Sequence, residues 1–96
     1  MSKRDKKRLD QLSELGCVVC RVFHKVYSPP AIHHLRSGVG MGQRSGDDRA
    51  IPLCPNHHQY GGYGVALHAG QKQFEHNYAT EDELLEMTNT LLRGME

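Results

Sequence analysis

The residues with the most metal chemistry are Cys17, Cys20, Cys54 and His57. They form two pairs, C-x-x-C in "CVVC" and C-x-x-H in "CPNH". An x-x spacing lets both members of a pair reach one cation from a tight turn. Two such knuckles close a tetrahedron of three sulfurs and one imidazole nitrogen, a set that suits structural zinc. All three cysteines of the chain fall into this pattern. The plainer readings are small buried hydrophobes or a C-x-x-C redox pair, but no βαβ pattern surrounds the motif to support the second. Structural Zn2+ is therefore the first expectation. Tying the start of the chain to its middle, it would make metal-binding energy count as folding energy.

A second set is left over: His33, His34, His58 and His68, with Asp47 and Asp48. Neighbouring side chains on a helix or strand point in different directions. His57 and His58 therefore divide: if His57 faces the zinc, His58 faces another site. Exchanging the two roles is a register shift of one residue. His33 and His34 lie on a strand candidate and face opposite sides. Arg36, Arg44 and Arg49 lie on or near a glycine-rich loop, where they can clamp phosphates bidentately or serve as ordinary solvated charge. His24 and His76 stand alone and read as surface or satisfied core residues.

The elements that must position these residues are short. Residues 3–15 read as a helix, capped by Ser2, lined by Leu9, Leu12 and Leu15, and stopped at Gly16. Residues 21–27, "RVFHKVY", alternate weakly and predict a strand or an extended connection. "AIHHL" and "AIPL" are short strands on either side of the loop 36–48, with Pro52 placing the second at an edge or a strand end. Pro55 starts a short helix that Gly61, Gly62 and Gly64 cut off. "QKQFEHNY" is another short helix. From Thr80 onward a capping box of Thr80 and Glu83 opens the clearest helix, whose face is Leu84, Leu85, Thr88, Leu91 and Leu92. Its acidic first turn complements the helix dipole. It reads as a packing element, with no chemistry expected on it.

Composition explains why a metal is needed. A chain of 96 residues is one domain, and this one has no Trp, ten glycines and four prolines. At this size net stability is about 5–10 kcal/mol, and poor cores of this kind are commonly stapled by a metal. The N-terminus "MSKRDKKRLD" has no apolar leader, and no run nears the roughly 18 apolar residues of a membrane span. A soluble, cytoplasmic protein with no membrane partner is expected. Five cations against Asp5 leave the first eight residues at +4, while the last sixteen carry −4. Such a basic arm binds phosphates or merely solubilises a terminus.

Read together, these motifs resemble a known superfamily. C-x-x-C, a His doublet on a strand, Asp before "PLC", and C-x-x-H followed directly by His resemble the HNH nucleases with their ββα-metal (His-Me finger) fold. The wording "HHLRSGVGMGQRSGDDRAIPLCPNHH", followed by "ALHAG" and "FE", resembles a narrower group, the small phage and prophage HNH proteins of the Ref type, which are RecA-dependent nucleases. The likeness covers about residues 17–79.

The resemblance implies an α+β fold, a small zinc-stabilised ββα-metal domain with flanking helices. Its parts would be a basic arm and helix at 1–16, a nuclease core at 17–79 and a packing helix at 80–96. It implies that His33 and His58 hold a catalytic Mg2+ or Mn2+ and that His34 is the general base. The position usually filled by Asn falls to Asp47, Asp48 or Arg49, with Asp48 favoured. Gly61 and Gly62 stand where many relatives carry a further ligand, so His68 is the substitute, as a ligand or a phosphate contact. Imidazole works as a base near neutral pH, and a divalent ion can stabilise the departing oxyanion. The expected activity is metal-dependent DNA cleavage with weak sequence preference in phage or prophage recombination. DNA and a RecA filament are the implied partners. The alternative is a non-catalytic zinc module that binds nucleic acid or protein through the arm and loop. A metalloprotease is disfavoured by the lack of H-E-x-x-H, and a zinc deaminase by the lack of H-x-E and P-C-x-x-C.

Overall fold

Helix α1 (Lys3–Leu15) is charged around most of its circumference and buries Leu12 and Leu15. It stops because Gly16 adopts φ 79°, a left-handed conformation that glycine enters without a steric penalty. The Gly16 N–H donates to the Leu12 carbonyl at 3.1 Å, and the next N–H, of Cys17, donates to the Ser28 carbonyl at 3.0 Å. A Cβ at position 16 would lie 2.7 Å from the Tyr27 ring and 2.9 Å from the Ser28 oxygen. The helix end and the returning segment at Tyr27 and Ser28 thus meet at Gly16, and the chain is delivered directly into "CVVC". The computed structural model describes residues 3–35 and 46–95. Ser2, Arg36, Arg44 and most of the glycine-rich loop lie outside the described residues.

Residues 20–24 depart from the strand or extended connection expected over 21–27. Cys20–His24 form a π-helical turn. The reason is the knuckle: the Cys20 N–H donates to Cys17 Sγ at 3.4 Å, and the Arg21 N–H donates to the Cys17 carbonyl at 2.9 Å. These bonds curl the chain before its weak alternation can find a strand partner. Lys25 then turns the backbone with φ 60°, and residues 26–30 connect it to the next strand without regular structure.

Strands β1 (Ala31–His34) and β2 (Ala50–Leu53) pair antiparallel, with Ile32 opposite Pro52, His33 opposite Ile51 and His34 opposite Ala50. In a sheet of two strands both are edges, which is why Pro52 is tolerated. A lone hairpin is marginal in water, so the sheet depends on what covers it. Every β2 side chain is buried. On one side Ala50 joins Leu12 and Leu15 of α1 and Leu92, with Ile32 packed against them. On the other, Ile51 and Leu53 join Leu35, Leu67, Phe74, Leu84 and the three cysteines.

A 3-10 turn, Asp47–Arg49, feeds β2. After β2 the chain turns at Pro55 into a π-helical turn, Asn56–Tyr60, as the short helix predicted there requires. The His58 N–H donates to the Cys54 carbonyl at 2.9 Å, which fixes the second knuckle. Gly64 (φ 84°) bends the chain back, and Asn77 Nδ2 holds its carbonyl at 2.8 Å. A 3-10 turn (Leu67–Ala69) and helices α2 (Gln71–Asn77) and α3 (Glu81–Gly94) complete the chain. Helix α3 opens with both halves of the expected capping box, Thr80 and Glu83. It buries Leu84, Thr88 and Leu92, and also Glu81. No helix among the described residues is long and apolar enough to cross a membrane. The whole is a small α+β fold in which helices cover a two-stranded sheet.

Candidate metal centres

Cys17, Cys20, Cys54 and His57 converge, all four buried, and can hold a metal ion such as zinc. Cys20 Sγ lies 3.8 Å from Cys54 Sγ. His57 Nδ1 lies 3.5 Å from Cys17 Sγ, 3.5 Å from Cys20 Sγ and 3.2 Å from Cys54 Sγ. Tetrahedral zinc with its usual bond lengths sets S···S at about 3.8 Å and S···N at about 3.5 Å. The donor set and its spacing therefore fit a closed four-ligand site. Burial pushes the Cys17 thiol up to about 12 and raises Cys20. Cys54 is also pushed up by burial, but hydrogen bonds from the His57 backbone and the neighbouring thiols outweigh this and lower it. Burial first, and then the nearby His24, depress His57. A cation is what would hold these groups as thiolates and neutral imidazole together.

Two aromatic neighbours frame this site. The His24 ring stacks on His57 with centroids 5.5 Å apart and planes 13° apart. Tyr78 meets the His57 ring edge-on at 5.3 Å. The sequence reading of His24 as an isolated residue misses this contact, because the π-helical turn that swings it over His57 has no sequence signature.

The second centre lies at the other face of the same turn. His33, His58 and His68 bring one ligand atom each within 4.8 Å of one another. His33 Nδ1 is 3.2 Å from His58 Nε2, and His68 Nε2 is 3.0 Å from that same His58 nitrogen. Ligand nitrogens around one ion at zinc-like bond lengths are separated by about 2.9–3.3 Å, depending on geometry, so the residues fit. The burial is graded. His33 is buried, His58 half-buried and His68 exposed. The cysteine centre is enclosed, whereas this one opens to solvent on the His68 side.

His34, on the opposite side of β1, reaches a different partner. Its Nε2 lies 2.7 Å from Asp47 Oδ1, with both side chains mostly buried. Asp48, favoured from the sequence for the position next to the base, is exposed and lies beside Arg8. The 3-10 turn brings Asp47 rather than Asp48 to His34, and its register is not readable from "GDDR". Arg49, expected at DNA, forms an ion pair with Asp82 at 3.2 Å. Arg36 and Arg44 lie outside the described residues.

Two contributors escape a motif search. Arg8, counted in the basic arm, is spent inside the fold. Its Nε donates to the Asp47 carbonyl at 2.9 Å, Nη2 to the Ala50 carbonyl at 2.8 Å, and Nη1 to Asn89 Oδ1 at 2.9 Å. Burial lowers it from the usual arginine range, against the pull of Asp48. Glu81 is the other. Its Oε2 sits 2.6 Å from His33 Nε2, and the two side chains are 3% and 4% exposed. The sequence signal was present in both cases, a charged residue in phase with an apolar face, but it is a weak one beside so many surface charges.

Comparison with known proteins comes down to one family. The family described as "Recombination enhancement, RecA-dependent nuclease" matches residues 2–93. No curated protein and no solved structure gives a match.

Proposed function

This chain belongs to the recombination-enhancement, RecA-dependent nuclease family, and from that premise we propose that it is a metal-dependent DNA endonuclease of the HNH type. It would hydrolyse phosphodiester bonds with weak sequence preference, in phage or prophage recombination and in conjunction with a RecA filament. In this reading β1, β2 and the helical turn Asn56–Tyr60 are a ββα-metal unit.

The observation that carries it is the presence of two ligand clusters of opposite character on one turn. His57 belongs to the enclosed set and His58 to the open one. Cys17, Cys20, Cys54 and His57 would hold structural Zn2+ and fix the knuckles. His33, His58 and His68 would hold the catalytic ion, Mg2+ or Mn2+, although an imidazole set favours transition metals over Mg2+. When bound, that ion supplies charge stabilisation at the phosphoryl oxygens.

The chain's own residues do the rest. His34 accepts a proton from the attacking water at the ring nitrogen that does not face Asp47. The Nε2–H of His34 donates to the Asp47 carboxylate, which would make Nδ1 the basic atom. Arg8 holds the Asp47 and Ala50 carbonyls on either side of the turn, which keeps that carboxylate in place. Exposed cations of α1, such as Lys3 and Arg4, would meet phosphate and carry little sequence information.

The test is nicking of plasmid and single-stranded DNA with Mg2+ or Mn2+, with and without RecA filaments. Metal-stimulated cleavage that His34→Ala abolishes without loss of fold is the expected result. Equal activity in the two proteins sinks the assignment. One tightly held zinc with no cleavage under any condition leaves the binding module as the better description.

A further inference from the structure

Helix α3 begins with three acidic residues, Glu81, Asp82 and Glu83, of which a sequence reading sets apart only Glu83, as half of the capping box. The structure gives them separate work. Glu83 closes the capping box with Thr80. Asp82 pairs with Arg49. Glu81 alone turns inward, to His33 Nε2.

The two nitrogens of His33 therefore face different neighbours. Nε2 faces the Glu81 carboxylate at 2.6 Å. Nδ1 faces the His58–His68 cluster, at 3.2 Å from His58 Nε2. A carboxylate only accepts hydrogen bonds, so the proton of a neutral His33 ring sits on Nε2. The lone pair is then on Nδ1, the side on which a cation would lie. A buried carboxylate behind a ligating imidazole fixes its tautomer and orientation and increases its basicity.

We propose that Glu81 is a positioning residue of the open centre, which locks His33 so that it binds a divalent transition-metal ion through Nδ1. On this reading α3 belongs to the metal centre, and the capping box that fixes its first turn also fixes the backing carboxylate. The inference rests on the assignment of His33, His58 and His68 as an ion site and adds to it the ligating atom and the group that sets it.

The test uses full-length protein holding its structural zinc, titrated with Co2+ alone and followed by the visible d–d bands. Absence of thiolate-to-cobalt charge transfer keeps the cysteine site out of the count. Glu81→Ala is expected to weaken Co2+ binding about 10–100-fold, with Glu81→Gln, which still accepts from Nε2–H, falling between the two. Long-range 1H–15N spectra of the wild type are expected to show His33 protonated at Nε2 and metallated at Nδ1, which needs no variant to fold. Wild type that binds Co2+ no better than Glu81→Ala overturns the role of Glu81 and leaves the ion site standing. His33 metallated at Nε2 does the same. Wild type that takes up no second ion overturns the ion site and this inference with it.

Discussion

Asp47 Oδ1 and His34 Nε2 lie 2.7 Å apart, a contact between the end of β1 and the turn that starts β2. The neighbouring Asp48 points to solvent. The two aspartates should therefore separate in experiment. Asp47→Asn keeps the shape but can present an amide N–H to His34 and lose the preference for one tautomer. It is expected to lower kcat about 10–100-fold with little change in KM, as loss of a group that orients a functional histidine does. Asp48→Asn is expected to leave cleavage within about twofold of wild type, as a surface change away from the site should. Steady-state cleavage kinetics decide. Equal loss in both variants would mean that the turn, and not the Asp47 carboxylate, supports His34.

Arg8 gives a prediction about the same turn from behind. Its guanidinium reaches two carbonyls of the 46–50 segment and Asn89 of α3. A lysine carries the charge but cannot fork to three acceptors. Arg8→Lys and Arg8→Ala are both expected to destabilise by about 2 kcal/mol, a fall in Tm of about 10 °C for a domain of this size. Both are also expected to slow cleavage more than DNA binding. If either variant binds DNA more weakly but keeps its Tm, Arg8 serves the phosphate backbone after all.

The convergence of Cys17, Cys20, Cys54 and His57 was legible because C-x-x-C and C-x-x-H each need a tight turn that brings their two ends together. The strands and α3 were legible because short apolar runs, Pro, Gly and a capping box mark them. Membership of a RecA-dependent nuclease family was legible in the order of the Cys and His motifs, and the family match over residues 2–93 agrees with it. The π-helical turn at Cys20–His24 was not, since sulfur hydrogen bonds, and not side-chain alternation, shape it. Nor was Glu81. Its phase with Leu84, Leu85 and Thr88 is a weak mark in a first turn that holds three acidic residues.

The capping box offers a pH prediction. The Thr80 N–H and then the Thr80 hydroxyl hold Glu83 below its ordinary value of 4.5. A carboxylate lowered on folding stabilises the fold above its unfolded value, and that contribution fades as pH falls from 4.5 through the lower folded value. Tm is therefore expected to drop on acidification in that window. Glu83→Gln, which accepts the same Thr80 N–H but does not titrate, should flatten the drop. Thr80→Ala should cost about 1 kcal/mol at neutral pH. Thermal melts of the three proteins across the acid range check this, and an unchanged slope in Glu83→Gln would locate the acid sensitivity elsewhere.

His57 and His58 make the sharpest pair, since adjacent residues are assigned to different jobs. His57 is 5% exposed and within 3.5 Å of all three cysteine sulfurs. A structural zinc site of this kind contributes about 10–16 kcal/mol of apparent binding energy, more than the roughly 5–10 kcal/mol by which such a domain is stable. His57→Ala, or stripping the zinc with a strong chelator, is thus expected to unfold the core, read as loss of the cooperative melt and of bound zinc. His58 is half-buried and faces His33 and His68. His58→Ala is expected to retain one zinc and a stability within about 0.5 kcal/mol of wild type, while metal-stimulated cleavage falls to background. Metal content, thermal melts and cleavage assays on the two variants separate the roles. If His58→Ala unfolds while His57→Ala keeps its zinc and loses only cleavage, the two roles are exchanged: His58 closes the zinc site and His57 serves the open one.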